Sequence, residues 1–235
     1  MRENVVKVVI GPDHTEYYVH SGLLKQHSEY FKRALNGNWK ESDENTIRLV
    51  DVECKTFDIF LEWLYTQWYP PNSQFHDGFD DDDGWIYDWA ELERVKACAF
   101  GDRFQATEFL KASENALIDV LIRYQNGFPN REVVELAFEC LPSSSPVLKA
   151  LMDSHCYYRK SYYHDSLESE EAEAVERLSG LPERFLIGVA WRCMKLLNNG
   201  GEEKALVRCE YHRHGPNEGT GYMCKVPYVQ WSWYR

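Results

Sequence analysis

No stretch of this chain comes near the roughly 18 to 20 consecutive apolar residues that a membrane-spanning helix needs, so such a helix is excluded. A secretory signal core is also missing: Met1-Arg2-Glu3-Asn4 runs straight into a strand-like pattern. Cysteine is sparse and odd in number, seven scattered residues. That distribution does not suit a disulfide framework and fits a reducing compartment. Positive charge is in short supply. Lys and Arg total 26 against 38 Asp and Glu, for a formal charge of −12. A chain so acidic offers no broad basic face to a phosphate backbone, so nucleic acid is not an expected partner, and neither is a membrane. Catalytic signatures are missing too, with no Walker loop, no dinucleotide fingerprint and no His-Glu-x-x-His. A Cys-His nucleophile could be assembled from Cys156 with His155 or His164, but no oxyanion-forming or glycine-rich context accompanies it. The expectation is a non-enzymatic, intracellular protein, cytoplasmic or nuclear, with no cofactor beyond the structural zinc weighed below.

What the chain does have is core material. Its 235 residues are 44% hydrophobic and 14% aromatic, which argues against disorder and allows one good core, or one core with a dependent second half. The acidic charge is concentrated. Asp77 and Asp80 to Asp83 share one loop, and a second block runs from Glu168 to Glu176. Both read as solvated segments first and as docking surfaces for basic partners second.

Periodicity divides the chain into short strands followed by helices. Val5–Ile10 and Thr15–Val19, separated by Gly11-Pro12-Asp13, read as a hairpin. Ser21 or Gly22 opens a short helix through Leu24, and Ser28–Leu35 forms another, stopped by Asn36-Gly37-Asn38. Thr46–Val50 is a third strand. Phe57, Phe60, Leu61, Leu64 and Tyr65 then lie on one helical face, with Pro70-Pro71 expected to end that helix. After an irregular loop at 70–84, helices are expected from near Asp88, with Leu92, Val95, Ala99 and Phe100 inward, and over Thr107–Gln125. Asn130 is an expected N-cap, with Glu132 in the first turn. Further helices are expected at Val147–Tyr158 and Pro182–Leu197.

The order of pieces over about 110 residues resembles the BTB/POZ domain family. Val19-His20-Ser21-Gly22-Leu23-Leu24 is similar to the family's V-H-K-x-x-L turn into its first hairpin helix, and Ser28-Glu29-Tyr30-Phe31 to its S-x-Y-F. Phe57 through Thr66 resembles F-x-x-h-L-x-W-L-Y-T, with h apolar, and Cys98–Phe104 resembles the A-D-K-Y helix end. The second half resembles the helical tail of many small fungal BTB proteins. Its markers are Asn115-Ala116-Leu117-Ile118-Asp119, Pro142-Ser143-Ser144-Ser145-Pro146 and Cys209-x-Tyr211-His212-Arg213-His214. The resemblance implies an α+β, mostly helical fold: a small three-stranded sheet capped by helices, then a helical extension. The expected domains are 1–112, with the acidic loop 70–86 inserted, a helical extension at 113–200, and a Cys/His- and aromatic-rich tail at 201–235.

The resemblance also implies a role in holding other proteins. Trp39-Lys40-Glu41 is similar to the apolar-x-Glu motif of cullin-binding BTB domains, which makes Trp39 and Glu41 the expected partner-binding residues and a cullin-RING ubiquitin ligase the expected assembly. An exposed aromatic supplies buried area and a neighbouring carboxylate supplies orientation. The alternative is that Trp39 folds back onto the domain and Glu41 is solvated. Homodimeric members carry an extra N-terminal helix and strand, whereas only Met1–Asn4 precede the first strand here, so a swapped homodimer is not expected. Two other functions stay open, a self-associating scaffold in a transcriptional or structural complex and a zinc-stabilised binding protein.

The zinc alternative rests on Cys209, His212, His214 and Cys224, residue types that zinc prefers, with Gly215, Gly219 and Gly221 able to bring Cys224 back. Against it, the two histidines stand closer than the roughly three- to five-residue spacing of zinc fingers. The other alternative is therefore a surface or buried cluster without metal. His20 is expected to satisfy local backbone groups. Tyr157, Tyr158, Tyr162, Tyr163, Trp231, Trp233 and Tyr234 are expected to pack the tail, or else to form a partner surface.

Overall fold

The computed structural model describes residues 5–36, 46–70, 85–123, 129–162, 175–176, 178–198 and 206–215. The chain divides into two compact units, Met1–Ser113 and Glu114–Arg235.

The first unit is built on a central strand that is apolar nearly throughout. Strand β1, Val5–Ile10, buries Val6, Val8, Val9 and Ile10. It lies between β2, Thr15–His20, to which it is antiparallel, and β3, Thr46–Leu49, to which it is parallel. A near-continuous apolar run is what a strand covered on both faces requires. The hairpin turn uses left-handed backbone at Gly11 (φ 71°) and His14 (φ 56°), and the Gly11 N–H donates to the Leu49 carbonyl at 3.0 Å. That bond ties the turn to β3.

Helices α1, Ser21–His27, and α2, Glu29–Asn36, form the hairpin that carries the chain from β2 toward β3. The first runs a turn beyond the expected Leu24. Helix α3, Cys54–Thr66, buries Phe57, Phe60 and Leu64 as its periodicity requires, with Ile59 and Trp63 also inside. It stops at Thr66, ahead of Pro70-Pro71, because Gln67 adopts the left-handed conformation (φ 60°) and its N–H donates to the Trp63 carbonyl at 2.7 Å. A left-handed residue closes a helix as proline does, without being visible as a breaker.

Helix α4, Trp85–Arg103, begins before the expected Asp88 and inside the stretch assigned to the acidic loop. Val95 and Phe100 are buried as expected, Leu92 and Ala99 only partly, and Ala97 and Cys98 complete the inner face. Helix α5 covers Thr107–Arg123. Its first turns approach α4 so closely that a Cβ on Gly101 would lie 2.8 Å from the Leu110 Cα, so this crossing requires glycine. Between these helices and the sheet is an aromatic core. Phe60 is 4.9 Å from Phe100 and 5.1 Å from Phe109 (ring centroids), and Phe100 is 4.4 Å from Phe104. Such pairs add about 0.5–1.5 kcal/mol each beyond the area they bury.

The second unit is helical. Beyond Ser113, α5 buries Leu117, Ile118, Val120 and Leu121. Helix α6, Arg131–Cys140, is capped by Asn130, whose side-chain oxygen accepts the Glu132 N–H at 2.7 Å. Helices α7, Pro146–Tyr162, and α8, Glu183–Asn198, pack on one another and on α6. Phe185 is their shared buried anchor, with the Phe138 and His155 rings edge-on to it at 5.5 and 5.3 Å. The opposite face of α8 exposes Ile187, Trp191, Met194 and Leu197. A single 3-10 turn, Arg208–Glu210, follows. Among the described residues no helix is long and apolar enough to cross a membrane.

Candidate functional site

Several motif side chains of the first unit face one another. Ser28, extended between α1 and α2, accepts the Phe31 N–H at 3.1 Å through its hydroxyl and donates to the Phe104 carbonyl at 2.6 Å. Phe31 in turn stacks on Phe104 at 5.6 Å, with 4° between the ring planes. His20 bonds to a side chain as well as through its backbone. Its Nδ1 lies 2.8 Å from the Tyr65 hydroxyl, and its N–H donates to the same oxygen at 3.3 Å. These groups assemble the domain. The exposed large side chains include the motif residues Tyr30 and Tyr65 as well as Tyr18 on β2, Val50 after β3 and Trp68 after α3. Trp39 and Glu41 lie outside the described residues, as do all of the acidic residues at 77–83.

The second unit brings together three of the expected metal-ligand residues. One donor atom each from Cys209, His212 and His214 lies within 4.8 Å of the others. The His212 side chain is fully buried, whereas Cys209 and His214 are half-buried. Cys224 lies outside the described residues.

The segment bearing these donors is fastened on both sides. Arg208 Nη1 pairs with Asp119 Oδ1 at 2.9 Å, and His212 Nε2 lies 3.0 Å from the same oxygen. Asn115 holds the Arg213 backbone twice, accepting its N–H at 2.9 Å and donating to its carbonyl at 3.1 Å. The Arg213 guanidinium pairs with Glu114 at 2.7 Å, and Glu114 also accepts from the Ser145 hydroxyl at 2.8 Å. From α7, Asp153 accepts the Tyr211 hydroxyl at 3.1 Å, and the Lys149 ammonium sits 4.8 Å over the Tyr211 ring. Burial first, then the charge of Asp153, push the Tyr211 hydroxyl well above its ordinary range.

Asn115 and Asp119 had registered in sequence only as parts of a tail marker. Their spacing of i, i+4 places both on one helix face, the one signal that they act on a common element. What they hold is remote in sequence and could not be read from spacing.

The remaining candidates separate. His155 is turned onto Phe185, while Cys156 Sγ lies 3.5 Å from Cys193 Sγ and 3.6 Å from the Val189 carbonyl, so the sequence neighbours do not pair. His164 is outside the described residues. Tyr157 is half-buried, and the side chains of Tyr158, Tyr162, Tyr163, Trp231, Trp233 and Tyr234 lie outside the described set. A cleft of about 480 Å³ opens in this unit between Ser143–Pro146, Lys149, Met152, Arg184 and Arg192. Arg192 pairs with Asp153 at its edge.

Comparison with known proteins gives a likeness within the first unit. Residues 2–79 match the family model for the BTB/POZ domain. A stretch of 62 residues is 29% identical to Kelch-like protein 26 of Danio rerio, covering 26% of this chain and 10% of that protein. The match thus spans about a tenth of the relative's length. The small sheet with a helical cover agrees with that BTB/POZ match over residues 2–79. BTB/POZ domains are protein–protein interaction modules without enzymatic activity of their own. The family match ends before the second unit, so the likeness of that unit to fungal tails stands as an expectation from sequence.

Proposed function

We propose that this chain is an adaptor that docks on a cullin scaffold of a ubiquitin ligase through Trp39 and Glu41, and holds a substrate protein on its second unit. The observation that carries this is the position of Trp39-Lys40-Glu41 inside the matched BTB/POZ span, between α2 and β3, where it resembles the docking motif of cullin-binding members. The use of Ser28, Phe31 and Phe60 inside the core supports it, because these family-like residues are occupied in building the domain. The second compact unit supplies a separate body for a substrate, and it carries the cleft beside Lys149 and Arg184. Tagged full-length chain is expected to co-purify with cullin from cells, and the Trp39→Ala/Glu41→Ala double variant is expected to lose it. Absence of cullin from the wild-type complex would refute the adaptor role.

A self-associating scaffold is the second reading. Strand β2 is at one edge of the sheet, and Tyr18 stands exposed on it, features that favour pairing with another copy. Light scattering separates the two: a mass independent of concentration at one chain argues for the adaptor, and a rising mass for the scaffold.

A further inference from the structure

We propose that Cys209, His212 and His214 supply three ligands to a structural zinc ion, and that Asp119 is the residue positioning His212 for it.

The donors already converge. Zn–S bonds of about 2.3 Å and Zn–N bonds of about 2.0–2.1 Å set tetrahedral ligand separations of roughly 3.3–3.7 Å. The three donor atoms here lie within 4.8 Å, so a contraction of at most about 1.5 Å closes the set. One thiolate with two imidazoles is borderline-soft, a donor set that suits zinc and disfavours calcium or magnesium, which take oxygen ligands.

The surroundings hold these donors in place. The segment's own backbone turns tightly, with the Tyr211 and His212 N–H groups both donating to the Arg208 carbonyl at 3.0 Å. Asn115, Glu114 and Asp153 then fix the residues between the donors, at Arg213 and Tyr211. Alternate residues of the segment therefore grip the helices while Cys209, His212 and His214 gather.

Asp119 sets its carboxylate beside His212 at ion-pair distance, though not in hydrogen-bond alignment, in the place where metal sites put the carboxylate that orients a ligating imidazole. A neutral imidazole that donates its Nε2 hydrogen to a carboxylate keeps its lone pair on Nδ1, and the carboxylate fixes the tautomer and raises ligand basicity. Asp119 Oδ1 stands 3.0 Å from Nε2, and the Arg208 guanidinium holds the same oxygen from its other side. Without metal the same two groups simply lie side by side, carboxylate against ring nitrogen. The two cases differ in the thiolate, since zinc binding requires Cys209 to lose its proton.

The test uses untagged full-length chain purified without chelators. Elemental analysis is expected to give about one zinc per chain. Cys209→Ser and His214→Ala should lose it, while Cys140→Ser, exposed at the end of α6, should keep it. Asp119→Asn should weaken zinc binding by about 10- to 100-fold in competition with a chromogenic chelator. Replacing zinc with cobalt in the wild-type protein provides a readout that does not depend on variants folding. A thiolate-to-cobalt charge-transfer band with tetrahedral visible bands is expected. Zinc far below stoichiometry with no thiolate band on cobalt addition overturns the site, as does full zinc retention in folded Cys209→Ser and His214→Ala.

Discussion

The Ser28 hydroxyl donates to the Phe104 carbonyl at 2.6 Å, fastening the α1–α2 hairpin to the end of α4 across 76 positions of chain. Both groups are buried, and the same oxygen caps α2 by accepting the Phe31 N–H. One small side chain thus satisfies two main-chain groups that water cannot reach. Ser28→Ala leaves both without it and is expected to cost about 1–3 kcal/mol. A urea titration followed by tryptophan fluorescence measures this, and an unchanged midpoint would show the bond to be unimportant.

Gly101 faces the Leu110 backbone where α4 meets α5. Because the Leu110 Cα cannot rotate away as a side chain could, Gly101→Ala has to separate the helices. A loss of about 1–3 kcal/mol is expected, more than helix propensity alone would return by replacing glycine with alanine. Thermal unfolding of the variant checks the direction, and a rise in midpoint would contradict the crossing.

Cys156 is expected to be the slow thiol of the second unit. Burial first, then the hydrogen bond with Cys193, push its thiol up to about 12 from an ordinary 9.0. The folded chain therefore holds this proton more tightly than the unfolded chain. The stabilising effect of the neutral thiol is intact below about pH 9 and declines as pH rises from there toward 12. Alkylation at pH 9, read residue by residue by mass spectrometry, is expected to be at least about 100-fold slower at Cys156 in native than in urea-unfolded protein. Equal rates would place the thiol in solvent.

Asn115→Ala removes both bonds to the Arg213 main chain. A cost of about 1–2 kcal/mol is expected, concentrated in the segment it holds. Hydrogen exchange should accelerate at Tyr211–His214 while α6 keeps its protection. Uniform acceleration across the unit would instead mean that Asn115 supports the whole helical core.

Much of the first unit was legible because one face of each element is apolar. The runs at Val5–Ile10 and Phe57–Tyr65 announce a covered strand and a half-buried helix through spacing alone. The end of α3 was less legible. Gln67 in a left-handed conformation closes it, and nothing in a glutamine advertises that, so the visible prolines drew the boundary too late. Glu93 and Arg94 are buried in α4 although their charge marks them as surface residues. Lys96 accounts for part of this by pairing with Glu93 at 3.1 Å. In the second unit the donors Cys209, His212 and His214 could be picked out by residue type. Asp119, 89 positions before Arg208, becomes their neighbour only through the packing of the helices. Trp39 and Glu41 were legible by resemblance alone.

Titration calorimetry of the purified full-length chain against the N-terminal region of a cullin tests the adaptor role most directly. Saturable binding with a Kd of about 1 μM or tighter is expected, worth roughly 8 kcal/mol, and it should weaken at least about tenfold in the Trp39→Ala/Glu41→Ala variant. No binding by the wild-type chain, or equal binding by the folded double variant, would contradict the proposal that these two side chains dock this protein on a cullin.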